Sequence, residues 1–149
     1  MNRKPTQPIE ETERSDETTS VFLPQGWPRP KGYSNAVVLP RGRALCISGM
    51  VAWDANEQIV SSDFAEQFRQ ALSNVLECAK SAGSRADCIG RLTIFVADMA
   101  AYKAARPALG RIYRSLFGNH YPAMTLVEVK SLLEDGALVE IEAAGVVPD

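Results

Sequence analysis

Glu140 and Glu142 fall in the run "LVEIEA" (residues 138–143), and Glu128 falls in "LVEV" (126–129). Residues two apart in a strand project on the same face, so Leu138, Glu140 and Glu142 share one side while Val139, Ile141 and Ala143 take the other. A carboxylate seated among apolar neighbours is a candidate to position or activate a water. The same spacing also fits a solvated strand face, or an ion pair across a subunit boundary with one of the 16 Lys and Arg residues, and taken alone the residues favour that plainer role. Other reactive groups are sparse. The three cysteines, Cys46, Cys78 and Cys88, lie in apolar strand-like or helical runs and read as reduced core thiols. The one histidine, His120, precedes Tyr121-Pro122 and reads as a turn residue rather than a base. No CxxC or HxxxH spacing occurs, so no transition-metal site is expected. "GSRADCIG" (83–90) lacks the spacing and lysine of a phosphate loop, and Ser48-Gly49 lacks the GxSxG of a nucleophile elbow.

The elements that must hold these carboxylates come from a chain of 149 residues, enough for one domain with its own core. Its 46% hydrophobic and 23% charged residues are ordinary for a globular protein, and a net charge of −2 argues against nucleic acid as a partner. No apolar run approaches the ~18 residues of a membrane span, so no membrane association is expected. The first residues lack the apolar core of a secretory signal, which makes the cytoplasm the expected location.

Residues 1–20 are charged and polar and read as a flexible tail. In residues 21–33, "VFLPQGWPRPKGY", three prolines work against a regular element. This stretch reads as an extended arm laying Trp27 on the domain or on a neighbouring subunit, or as a simple linker. A single domain over residues 34–149 follows. "NAVVL" (35–39) and "ALCISGM" (44–50), separated by "PRGR", predict a β-hairpin, with a shorter strand near residues 57–60 and Trp53 packed at a sheet edge. Phe64, Phe68, Leu72, Val75 and Ala79 recur at helical spacing, with Ser62 as N-cap and Gly83 just past the end. "CIGRLTIFVAD" (88–98) predicts a central strand. A second helical stripe runs through Tyr102, Ala105, Leu109, Ile112 and Leu116, its regular part expected to start at Pro107 and to end at Gly118. Two last strands, near residues 123–130 and 137–146, read as a hairpin-like pair that returns Glu140 beside Met124. The order predicts an α+β fold, one mixed sheet with both helices on one face. The other face would need cover, and self-association is the simplest source.

The pieces also resemble the Rid family (YjgF/YER057c/UK114) over residues 32–147. "KGYSNAV" (31–37) is similar to that family's G-P-Y-S-x-A-V, "CISGM" (46–50) to a strand ending in S-G-Q, and "FRQALSNVLECAKSAG" (68–83) to its first helix. "RLTIFVADMAAY" (91–102), "YPAMTLVEV" (121–129) and "LVEIEAAGV" (138–146) resemble its later strands, in the right order and spacing. The resemblance implies a chorismate-mutase-like fold assembled as a homotrimer with clefts at the subunit interfaces. It implies hydrolysis of reactive enamines and imines, such as 2-aminoacrylate, to a keto acid and ammonia, with no metal or cofactor. In the family an arginine in F-P-A-R clamps the substrate carboxylate, a strand glutamate orients water, and a tyrosine and backbone groups complete the cleft.

Carried over by position, the tyrosine is Tyr33 and the glutamate Glu140, and Ser48 and Gly49 match the S-G wall. Met50 stands where the family has glutamine, and Met124 stands at the arginine, followed by Thr125 and Leu126. A thioether cannot pair with a carboxylate, and leaving such a charge unpaired typically costs ~2–5 kcal/mol. The resemblance therefore implies either a deaminase with an atypical substrate, or a trimer whose clefts bind a small metabolite without turnover, or a purely structural assembly. In the first reading the substrate lacks the carboxylate, or another cation such as Arg91 or Lys130 holds it. In the second, Met124 and Met50 line an adaptable cleft.

Overall fold

The computed structural model of the protein describes residues 17–149. The tail expected over residues 1–20 therefore lies mostly outside the described residues. Six strands and two helices follow in the order β1 (Ser20–Phe22), β2 (Ala36–Val38), β3 (Gly42–Met50), α1 (Phe64–Ser81), β4 (Ile89–Val96), α2 (Met99–Phe117), β5 (Ala123–Glu128) and β6 (Val139–Pro148). Strands β3, β6, β4 and β5 form one mixed sheet in that order, with β4 and β5 parallel and the other pairs antiparallel.

The period-two pattern sets the two faces of the sheet. Leu92, Ile94 and Val96 of β4 and Val139, Ile141 and Ala143 of β6 are buried and lie opposite one another in the ladder. They meet Phe68, Leu72 and Val75 of α1 and Leu109, Ile112 and Phe117 of α2 in one apolar core. The alternate residues of the same strands point away from the helices, and no helix among the described residues covers that second face. The fold is thus α+β, a mixed sheet with two helices on one side, as expected. Among the described residues no helix is long and apolar enough to cross a membrane.

Helix α1 begins one residue later than its sequence signal. Asp63 rather than Ser62 caps it, its Oδ1 accepting from the Glu66 N–H at 2.9 Å, and Gly83 follows the C-cap at a left-handed φ of +85°. Helix α2 does not restart at Pro107. It runs through that proline from a strong cap, Asp98, which accepts from the Ala100 and Ala101 N–H groups at 2.7 and 3.1 Å. Pro107 is tolerated because it lies on the exposed side, where the carbonyl left without its helical donor can meet water. Gly118 closes the helix.

The predicted hairpins are not formed. β2 pairs with β1, not with β3, so Val21 and Phe22 of the supposed irregular arm belong to a short two-stranded sheet. β3 pairs instead with β6. Residues 57–60 give only an isolated bridge, Trp53 to Ile59. β5 and β6 are not neighbours either, because β4 lies between them. Trp27 is 60% exposed.

Two side-chain amides, one buried and one half-buried, fasten the loops to this frame. Gln67, fully buried in α1, donates to the Ser61 and Gly136 carbonyls at 2.7 and 2.9 Å and accepts from the Leu138 N–H at 2.8 Å. It thereby fixes the chain just before Glu140. Asn74 donates to the Val51 and Trp53 carbonyls, both at 3.0 Å, and holds the segment that leaves β3.

Candidate functional site

Two separate places collect the residues singled out in the sequence. The first is a cleft of about 500 Å³ between α2 and the β4–β5 half of the sheet. Met124 and Leu126 lie opposite Leu92 and Ile94 in the parallel ladder, so all four point toward the helices. Met124, Leu126 and Ile94 form the floor, with Phe68 of α1 and Leu109 of α2. Tyr33 reaches the same cleft because Ser34 is fastened to the start of β5. The Ser34 N–H donates to the Pro122 carbonyl at 3.0 Å, and its hydroxyl donates to the Tyr121 carbonyl at 2.5 Å.

One wall is an aromatic stack. Tyr113 lies 4.8 Å from Phe117 on one side and 5.3 Å from Tyr121 on the other, both nearly parallel. Burial pushes the Tyr113 hydroxyl far above its ordinary range, and neighbouring Tyr121 adds to this, so it stays protonated and donates to the His120 carbonyl at 3.2 Å. His120 is held in turn. Its Nε2 donates to the Ile89 carbonyl at 2.7 Å, which ties the ring to the backbone. It is a turn residue, as read from the sequence.

The second place lies on the open sheet face. Along the β3–β6 ladder Ile47 faces Ala143 and Met50 faces Ile141, so Ser48 and Gly49 together oppose Glu142 alone. This is a β-bulge. It seats Gly49 directly against Glu140, and a β-carbon at position 49 would overlap the Glu140 carboxylate. The bulge also reverses the alternation beyond it, so Met50 turns inward and packs half-buried against the core. Met50 therefore does not line the cleft expected of it.

Glu140 does not return beside Met124. It faces Phe95, which faces Val127, whereas Met124 faces Leu92 and through it Ala143. The two residues thus stand two strands apart and on opposite faces of the sheet. Thr125 is exposed on the Glu140 side. Glu128 has a structural partner, accepting from the Met99 N–H at 2.6 Å at the start of α2. Of the cations proposed to replace the arginine, Arg91 lies on the open face and donates to Thr93 Oγ1 at 3.3 Å, and Lys130 lies beyond the end of β5. Neither lines the cleft. The cations that do are Lys31, Arg106 and Arg114. They were not singled out in the sequence, although Arg106, Gly110 and Arg114 recur every four residues along one side of α2.

Of the thiols read as core residues, Cys46 is instead exposed, because it points to the open face of β3, and Cys78 is half-buried. Cys88 is fully buried, and burial pushes its thiol upward. Among the described residues no group of three or more His, Cys, Asp or Glu side chains is arranged to hold a metal.

Residues 28–147 match the family described as Endoribonuclease L-PSP, a span that runs from the arm through the end of β6. The chain belongs to the Rid family. A human 2-iminobutanoate/2-iminopropanoate deaminase is 32% identical to this Rid chain over 115 residues, 76% of this chain and 79% of the human protein. A RutC family protein of Pyrococcus horikoshii is 32% identical over 125 residues, 83% of this chain and 94% of that protein. Among solved structures, a Rid family protein from Yersinia pestis superimposes with a TM-score of 0.77 at 30% identity, covering 87% of this chain and 98% of its own. The match takes in Tyr33, the Ser48–Gly49 bulge, Met124 and Glu140 alike.

Proposed function

We propose that this Rid chain is a deaminase that hydrolyses a small reactive imine or enamine to a carbonyl compound and ammonia. It works as a homotrimer, each cleft pairing Tyr33 and Met124 of one subunit with Ser48, Gly49 and Glu140 of the next. The similarity to a human 2-iminobutanoate/2-iminopropanoate deaminase supports the reaction class. The observation that carries the reading is the Ser48–Gly49 bulge, which opens the backbone so that the Glu140 carboxylate fits against a residue without a side chain. Among the described residues no hydrogen bond is made to that carboxylate, which leaves its oxygens open to a water. The separation of Glu140 from Tyr33 within one chain supports a cleft completed by a second copy.

The chemistry needs one base and one hydrogen-bond donor. An enamine first takes a proton on its terminal carbon and becomes the imine. Water then attacks the C=N carbon. Glu140 accepts the water's proton as the C–O bond forms, and the nitrogen gains a proton to give a carbinolamine. The carbinolamine nitrogen then gains a further proton while its hydroxyl gives one up, the C–N bond breaks, and ammonia leaves as the carbonyl forms. The Tyr33 hydroxyl holds the reacting group in place. Met124 supplies an apolar floor rather than a charge, so the substrate differs from one clamped by an arginine at that position.

The test is ammonia release from imines generated in place by an amino-acid oxidase. Wild-type protein should accelerate it, and Glu140→Ala should lower the rate by about 10²-fold or more, the usual scale for removing a general base. No release above buffer across a broad imine panel would instead assign the clefts to metabolite binding without turnover.

A further inference from the structure

We infer that Arg106 and Arg114 of α2 form the carboxylate site of this cleft, and that its ligand is a 2-imino acid with a bulky apolar or aromatic side chain. The inference rests on the deaminase reading for the word imino, and on the cleft alone for the rest.

The first observation is charge without a partner. Helix α2 carries Lys103, Arg106, Arg111 and Arg114 and no acidic residue, in a chain whose net charge is −2. Arg106 and Arg114 line the cleft together with Lys31. Among the described residues the one ion pair is Arg85 with Asp87. No carboxylate of the described residues engages Arg106 or Arg114.

The second observation is Gly110. It sits inside α2, midway between the two arginines and one turn from each. Glycine weakens a helix interior relative to alanine, and it is usually kept where the backbone needs positive φ or where another group comes close. Neither applies within this chain. Gly110 is not among the residues of positive φ, and a β-carbon there would meet nothing within 4 Å. What the glycine leaves is a notch of open space on the helix surface between Arg106 and Arg114. Arginine side chains reaching from either side can converge over it on a planar carboxylate.

The third observation is the cavity below the notch. Its floor of Met124, Leu126, Ile94, Phe68 and Leu109 is apolar, which suits a large apolar side chain better than the methyl of a three-carbon acid. A carboxylate anchored at the rim by α2 sends its side chain over that floor. An arginine at position 124 would put the charge where this chain puts a thioether. The anion site has moved from strand to helix, and the vacated space admits an apolar group.

Binding can be read without turnover, by calorimetry on the intact protein at low salt. The probes are phenylpyruvate, pyruvate and neutral phenylacetone. Phenylpyruvate should bind at least tenfold more tightly than pyruvate. The double variant R106Q/R114Q should weaken phenylpyruvate at least tenfold and leave phenylacetone unchanged, and Gly110→Leu, which fills the notch, should do the same. Lys103→Gln, on the same helix but away from the notch, should change nothing. With imine generated from phenylalanine, the double variant should raise KM and hold kcat. Unchanged phenylpyruvate affinity in R106Q/R114Q, equal affinity for pyruvate, or no binding of phenylpyruvate to folded wild-type protein would each overturn the inference. Ammonia release with unaltered binding in the arginine variants leaves the deaminase and removes this site. Arginine-dependent binding without ammonia release does the reverse.

Discussion

Gly49 and Glu140 depend on each other through a single missing β-carbon. An alanine at position 49 would overlap the carboxylate, so Gly49→Ala must move either the bulge or Glu140. Overpacking of this kind typically costs ~1–3 kcal/mol, which thermal melts would show. Ammonia release should fall at least tenfold, because the displaced carboxylate no longer meets the substrate's water. A double-mutant cycle separates this cause from general damage. Added to Glu140→Ala, the same alanine should cost no further activity, since it acts through a group already removed. Losses that add independently would place Gly49 in backbone packing alone. At this scale the sequence was half legible. The alternation in "LVEIEA" put Glu140 and Glu142 on one face and Val139, Ile141 and Ala143 on the buried one, as found. Met50 was misread because the bulge that turns it inward leaves no mark in the pattern of apolar residues.

Helix α2 carries one side of the cleft, and its proline shows what holds an element together. Two carboxylates secure its first turn, Asp98 from within the chain's own approach and Glu128 from β5. With that end fixed and the apolar stripe of Leu109, Ile112 and Phe117 buried, the helix spans Pro107 rather than starting there. Pro107→Ala would restore the missing N–H to the Lys103 carbonyl. We expect a gain of ~1 kcal/mol, a rise in Tm of about 2–4 °C for a domain of this size. A fall in Tm would mean that the proline sets a bend on which the packing of α2 depends. The helices and five of the six strands were legible because period and caps are local signals. Strand partners were not. The pairing of β2 with β1 and of β3 with β6 joins distant segments, and the turn residues Pro40 and Gly42 look the same whether or not their flanking strands pair. The cleft was missed for a related reason. The side chains of the Arg106–Gly110–Arg114 row were visible, but the strand they face was not known to be β5.

Considered whole, the molecule buries one face of its sheet and leaves the other bare. That bare face presents small and apolar groups, Cys46, Phe95, Ala144 and Val127, around Arg91, Glu140 and Glu142. The proposed trimer covers it, and sedimentation equilibrium should return three times the 16.2 kDa of the chain. Mass alone does not say where the reaction occurs, but subunit mixing does. Tyr33→Phe removes the hydroxyl from one half of each cleft and Glu140→Ala removes the base from the other, so each variant trimer should be inactive. If every cleft joins the Tyr33 half of one subunit to the Glu140 half of the next, equal mixing and exchange place two unaltered halves together in about one quarter of the clefts. Ammonia release should then recover to about that fraction of wild type, on the timescale of subunit exchange. If both halves belonged to one chain, no cleft in any mixed trimer would be whole and activity would stay at zero. The opposite-face placement of Met124 and Glu140 favours recovery, because within one chain the sheet itself stands between Glu140 and the cleft that Tyr33 and Met124 line.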